Sequence, residues 1–148
     1  MGVATYASWD PGGSTKRRTT GLCYWDQEAN VLDLKIIGQK EFDYEIEHIP
    51  NTVKTFILEE YVPRRISHIG NRLLTAQLIG DIKGYARRHD IQIVEQPSTI
   101  LSIAAMWAQV NLKSNKHLPD YISAYLHGYY YLFNKGLIKP KVLEDYNE

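Results

Sequence analysis

Val3-Ala4-Thr5-Tyr6-Ala7-Ser8-Trp9-Asp10-Pro11-Gly12-Gly13 is the stretch that decides the fold. Small and apolar residues run from Val3 to Trp9 and read as a strand. Pro and Gly then stop the strand and open a turn. A carboxylate, Asp10, therefore sits where the strand ends. Gly21 to Trp25 and Val31 to Ile37 read as two further strands, with Asp26–Asn30 as the hairpin connection. Three consecutive antiparallel strands follow from this pattern.

Working outward, residues 41–49 are ambiguous. Acids alternate with Phe42, Tyr44, Ile46 and His48 as in a strand, yet Phe42, Ile46 and Ile49 also fit helical spacing. A short helix or irregular connection ending at Pro50 is the preferred reading. Val53 to Leu58 reads as a buried strand with Glu59 and Glu60 at its C-terminal end. Residues 68–89 read as a long helix, with a stripe of Leu74, Leu78, Ile82 and Tyr85 widened by Ile69, Leu73, Ala76 and Ile79. That breadth suggests the sheet on one side and a second subunit on the other. Ile91 to Val94 reads as a short strand, and Ser98 as the N-cap of a helix reaching about Gln109. The last helix runs from about Leu118 to Asn134 and stops at Gly136. Strands joined through helices after an antiparallel meander predict an α/β fold, a mixed sheet with helices on its faces.

The chain has 148 residues, which suits a single domain over 1–148. Its 44% hydrophobic and 23% charged residues exclude a mainly disordered chain. No apolar run approaches the roughly 20 residues that span a bilayer, so no membrane partner is expected. The N-terminus lacks a basic segment followed by an apolar one, the mark of a secretory signal. One cysteine, Cys23, can form neither an internal disulfide nor a cysteine-rich zinc site. Between Leu22 and Tyr24, with no base nominated nearby, it reads as a small buried side chain. A reducing, cytoplasmic location is expected. The formal charge is zero but unevenly spread: residues 1–60 hold six Lys/Arg against ten Asp/Glu, and residues 61–148 hold eleven against seven. An acidic site beside a basic surface is compatible with that distribution.

Three acids stand out by location. Asp10 ends the first strand, Glu59 ends the fourth, and Asp120 begins the last helix three residues after His117. Strand ends and helix starts at one sheet edge are where ligand sites collect. Carboxylates gathered there repel unless a cation neutralises them, and hard oxygen donors suit Mg²⁺ or Mn²⁺. A pair of such ions about 3.5–4 Å apart clamps the attacking and leaving oxygens of a phosphoryl displacement. Each residue also has a plain alternative. Asp10 before Pro-Gly is a common turn residue. Glu59-Glu60 could be a solvated strand end, Asp120 could serve the helix dipole, and His117 could cap the helix or merely orient the Asp.

Basic clusters adjoin all three acids in sequence: Lys16, Arg17 and Arg18 after Asp10, Arg64 and Arg65 after Glu59, and Lys113 and Lys116 before Asp120. Phosphate contacts want cations flanking a metal-binding carboxylate set, although solvated loop charge explains any one cluster equally well. Trp9, Tyr24, Trp25, Trp107 and the tyrosines of the last helix, including Tyr129, Tyr130 and Tyr131, read as packing residues.

Tyr6-Ala7-Ser8-Trp9-Asp10-Pro11-Gly12 followed by Thr20-Gly21 resembles the first-strand signature of RuvC-type Holliday junction resolvases. Phe56-Ile57-Leu58-Glu59-Glu60-Tyr61 resembles that family's second acidic strand end. Gly70-Asn71-Arg72-Leu73 through Ile79-Gly80 and Lys83 is similar to the long helix of phage-type members. Gln96-Pro97-Ser98 occupies the segment after the fifth strand, and His117-Leu118-Pro119-Asp120 resembles the C-terminal His/Asp-x-x-Asp motif. The resemblance spans nearly the whole chain in order. It implies an RNase H-like mixed five-stranded sheet flanked by helices, and a Mg²⁺- or Mn²⁺-dependent endonuclease, with two ions per site, acting as a homodimer on branched DNA such as four-way junctions. It implies Asp10, Glu59 and Asp120 as metal ligands, and His117 as a residue that binds metal, orients the attacking water or protonates the leaving oxygen. Glu60 is the rival of Glu59, because a one-residue shift turns a side chain to the opposite sheet face. The loop between Gly12 and Gly21 is longer than the family's short turn, and Thr99 to Lys116 lacks a strong family pattern. A phage origin would place the protein in the host cytoplasm. Two other classes stay open: a non-catalytic branched-DNA-binding protein on the same fold, and a fragment of an actin-like ATPase, suggested by Asp10-x-Gly12 with Ser14 and Thr15.

Overall fold

The computed structural model describes residues 2–11, 19–60, 69–111 and 120–138, with the backbone alone for 69–73 and 120. Lys16, Arg17, Arg18, Arg64, Arg65, Lys113, Lys116 and His117 lie outside the described residues. Strands β1 (Ala4–Asp10), β2 (Thr20–Asp26) and β3 (Val31–Ile37) come first, then helix α1 (Gln39–Glu47), strand β4 (Thr55–Glu59), helix α2 (Ile69–Arg88), strand β5 (Gln92–Gln96), and helices α3 (Leu101–Ala108) and α4 (Asp120–Asn134). The five strands form one sheet in the order β3-β2-β1-β4-β5. β1–β2 and β2–β3 pair antiparallel, whereas β1–β4 and β4–β5 pair parallel. The expected α/β fold, a mixed five-stranded sheet flanked by helices, is the one observed.

Local chemistry explains the connections. The Asp26 carboxylate accepts hydrogen bonds from the backbone N–H of Glu28 (2.9 Å) and of Asn30 (2.8 Å) and from Asn30 Nδ2 (3.1 Å), which closes the β2–β3 turn. Burial works against its charge, but these bonds together outweigh it and hold the Asp26 carboxyl below its ordinary value. Residues 39–47 are helical, with Phe42 turned inward and Lys35 of β3 bonded to Glu45 at 2.6 Å. The last helix ends at Gly136, whose φ of +80° suits glycine and lets the Gly136 N–H donate to the Phe133 carbonyl at 2.9 Å.

Strand alternation divides the core in two. On one face Ala7, Trp9, Phe56 and Leu58 meet Phe42 of α1 and Leu78, Ile82 and Ala86 of α2. On the other, Tyr6, Cys23, Trp25 and Ile57 meet Tyr129 and Leu132 of α4. Fully burying one large apolar side chain is worth about 1.5–3 kcal/mol, and Trp9, Trp25, Phe42, Phe56, Ile82 and Leu132 are all essentially inaccessible. Cys23 is buried too, as expected.

Two expectations need correction. Ser98 is no N-cap. Pro97 holds the cap position of a short 3-10 turn over Ser98–Ile100, and no side chain caps it. β5 extends to Gln96, two residues past the predicted strand end, because Gln96 pairs in register with Glu59. Of the α2 apolar stripe, Leu78, Ile79, Ile82 and Ala86 are buried within the chain and Ala76 is exposed, while the side chains of Ile69 and Leu73 lie outside the described residues.

Candidate active site

The parallel pairing of β1 with β4 sets Trp9 opposite Leu58. The next residue on each strand is an acid, Asp10 and Glu59. Adjacent strands lie about 5 Å apart, so the two strand ends present carboxylates side by side. Both point to the α4 face: Asp10 follows Ser8 by two residues and Glu59 follows Ile57 by two. Glu60 is exposed and, by the same alternation, belongs to the opposite face; its N–H donates to the Gln96 carbonyl at 2.6 Å.

α4 is seated on this face by a close approach. Trp25 Nε1 donates to Ser8 Oγ at 3.0 Å, directly beneath Gly128. A Cβ on Gly128 would lie 2.6 Å from Ser8 Oγ and would also collide with the Trp25 indole nitrogen. Only glycine lets the helix backbone sink this far. Farther along, the Tyr131 ring meets that of Tyr6, 6.2 Å between centroids. α4 thus runs against β1, from its C-terminal end towards its N-terminal end. The start of α4, Asp120, consequently lies at the edge of the sheet that carries Asp10 and Glu59. Asp120, Ala124 and His127 share one helix face at spacings of four and seven, and Asp120 stands about 10 Å farther out along the axis than His127.

His127 is the residue that sequence reasoning missed. It is 0% exposed, and its Nε2 lies 3.2 Å from Glu59 Oε1. Its Nδ1 lies 3.1 Å from the Gln96 amide nitrogen, which also donates to the His127 carbonyl at 2.9 Å. The only sequence signal is a histidine on the face of the last helix set by Asp120, seven residues on, in a run of mostly aromatic, aliphatic and small residues. The C-terminal motif points instead to His117, which lies outside the described residues.

Oxygen donors on neighbouring strand ends are chemically suited to a hard divalent cation. The Glu59 side chain keeps 31% of its surface accessible while its Oε1 is engaged by His127. Strand register thus sets Asp10 and Glu59 on neighbouring strand ends, and the backbone of α4 begins, at Asp120, at the same edge of the sheet. Among the described residues, Asp120's side chain not included, no set of three or more His, Cys, Asp or Glu could hold a metal. No helix among the described residues is long and apolar enough to cross a membrane. The segments 12–18, 61–68 and 112–119, which carry the basic clusters and His117, attach to the ends of β1 and β4 and to the start of α4.

No protein-family model matches the sequence, and no curated protein matches it. Solved structures do match. A T. thermophilus RuvC in complex with a Holliday junction substrate is similar over 93% of this chain and 99% of that one, with a TM-score of 0.63 at 12% identity. A second Thermus thermophilus RuvC structure is similar over 91% and 98%, with a TM-score of 0.56 at 11% identity. The chain thus has the RuvC fold, the RNase H-like mixed five-stranded sheet with flanking helices.

Proposed function

We propose that this protein is a divalent-metal-dependent, structure-selective endonuclease that cuts phosphodiester bonds in branched DNA and resolves four-way junctions by paired nicks. The observation that carries the reading is the pair Asp10 and Glu59 on adjacent parallel strand ends, on the face whose helix begins with Asp120. A RuvC solved with a Holliday junction shares this fold along nearly its whole length, which supports branched DNA as the substrate class.

Asp10, Glu59 and Asp120 would hold Mg²⁺ or Mn²⁺. When bound, two such ions supply activation of a water and stabilisation of the leaving 3′-oxygen. The residues of the chain do the rest. The carboxylates set where the scissile phosphate can sit. His117 orients the attacking water or returns a proton to the leaving oxygen. Lys16, Arg17, Arg18, Arg64, Arg65, Lys113 and Lys116 contact backbone phosphates on either side. The products are 5′-phosphate and 3′-hydroxyl ends. A homodimer presents two such sites across one junction, in the cytoplasm of the cell or, for a phage protein, of the host.

The test is cleavage of an end-labelled synthetic four-way junction by the purified chain. Symmetric nicks in Mg²⁺, absent with chelator and absent in Asp10→Asn, are expected. Metal-independent binding without nicking would replace this reading with a junction-binding module. Turnover of ATP would favour the actin-like alternative.

A further inference from the structure

We propose that Gln96 and His127 are a positioning pair for Glu59, fixing how that carboxylate is presented to a divalent cation. The inference rests on the metal-site reading above and assigns two residues to it.

The argument starts from the His127 carbonyl. A backbone carbonyl can only accept, so the Gln96 side-chain atom 2.9 Å from it must be the amide nitrogen. With the oxygen there instead, two acceptors would face each other in a buried place. That fixes which way round the Gln96 amide lies. The same nitrogen has a second hydrogen, and His127 Nδ1 is 3.1 Å away. Nδ1 must therefore accept. An imidazole whose Nδ1 accepts carries its proton on Nε2, and Nε2 faces Glu59 Oε1 at 3.2 Å. The chain of donors is complete: Gln96 amide to His127 Nδ1, then His127 Nε2–H to Glu59 Oε1. The ring in this arrangement is neutral, so it orients the carboxylate without cancelling its charge.

Three further observations separate this from an ordinary buried histidine. Gln96 is itself buried and directs its amide nitrogen at two acceptors of a single residue, ring nitrogen and carbonyl. Gln96 ends β5 opposite Glu59 in the parallel ladder, so orienter and oriented group sit on neighbouring strand ends. Gly128, next to His127, lets α4 sit directly on Ser8 and Trp25, which fixes the depth at which the His127 ring meets the strand ends. A leucine would fill the same space if packing were the only need. Partners of this kind typically contribute ten- to hundredfold in metal affinity.

The experiment measures Mn²⁺ binding to the full, chelator-stripped chain by electron paramagnetic resonance and calorimetry, with thermal melts run in parallel. Parent protein should bind Mn²⁺, and Asp10→Asn should not. His127→Leu should bind roughly ten- to hundredfold more weakly and give an altered Mn²⁺ spectrum. His127→Gln, whose Nε2 lies the same number of bonds from the backbone, should recover most of the affinity. Gln96→Leu should weaken binding in the same direction, and it serves if His127→Leu does not fold. Parent-like affinity in folded His127→Leu or in Gln96→Leu would overturn the positioning role while leaving the metal site intact. No Asp10-dependent Mn²⁺ binding in the parent would overturn both readings together.

Discussion

Glu59 Oε1 and His127 Nε2 meet at 3.2 Å across 68 residues of chain, joining the end of β4 to the middle of α4. The contact couples the two halves of the candidate site: the strand edge with Asp10 and Glu59, and the helix that opens with Asp120. Anything that lifts α4 from the sheet therefore disturbs the site together with the core that Tyr129 and Leu132 help to form.

Asp10→Asn and Asp120→Asn should abolish junction cleavage and leave stability within about 0.5 kcal/mol of the parent in urea melts. Residual nicking in either purified variant would remove that residue from the chemistry.

Gly128→Ala and Gly80→Ala should have opposite effects. An added methyl at Gly128 meets Ser8 and Trp25, so the variant should lose about 1–3 kcal/mol or more and release the Glu59–His127 contact. Gly80 lies in the exposed interior of α2 with nothing within 4 Å of an added Cβ, so alanine should stabilise it by about 1 kcal/mol. Equal denaturation midpoints for the two variants would contradict the close seating of α4.

Stability should fall steadily between about pH 9 and pH 12. Burial raises the Tyr125 hydroxyl from 10.0 to about 12, and burial likewise raises Tyr24 and the Cys23 thiol from their ordinary 10.0 and 9.0. The folded chain then keeps protons that the unfolded chain has already lost. Their contribution is complete below the unfolded values and is lost as pH climbs towards the folded ones. Urea midpoints measured at one-unit steps should show this decline, and a flat profile would mean these side chains are wetter than the packing indicates. Cys23 should resist thiol reagents until denaturant is added.

Replacing both Arg17 and Arg18 with Ala should weaken junction binding and flatten its dependence on salt, by up to about two in the log–log slope. Binding in calcium or chelator, measured at several salt concentrations, separates this from cleavage. An unchanged slope would take the 12–18 segment off the DNA surface.

Much of the architecture was legible because it is local. Pro11 after Asp10, the alternation along the strands and the long stripe of α2 report themselves within a few residues, and they place acids at two strand ends and one helix start. The choice between Glu59 and Glu60 was not local: it depends on the register of β4 against β1, which sends one acid to the α4 face and its neighbour away. The meeting of His127 with Gln96 and Glu59 was hidden for the same reason. His127 is a polar residue in a mostly apolar helix, and Gln96 an ordinary strand-end amide, until Gly128 brings α4 down onto Ser8 and Trp25. The sequence by itself settles the order of the elements and most of their types, since turn chemistry and periodicity act between near neighbours, whereas the end of β5 at Gln96 follows from its pairing with Glu59. Tertiary structure alone decided which side chains meet at the edge, since that follows from strand register and helix depth, both set by packing between residues distant in the chain.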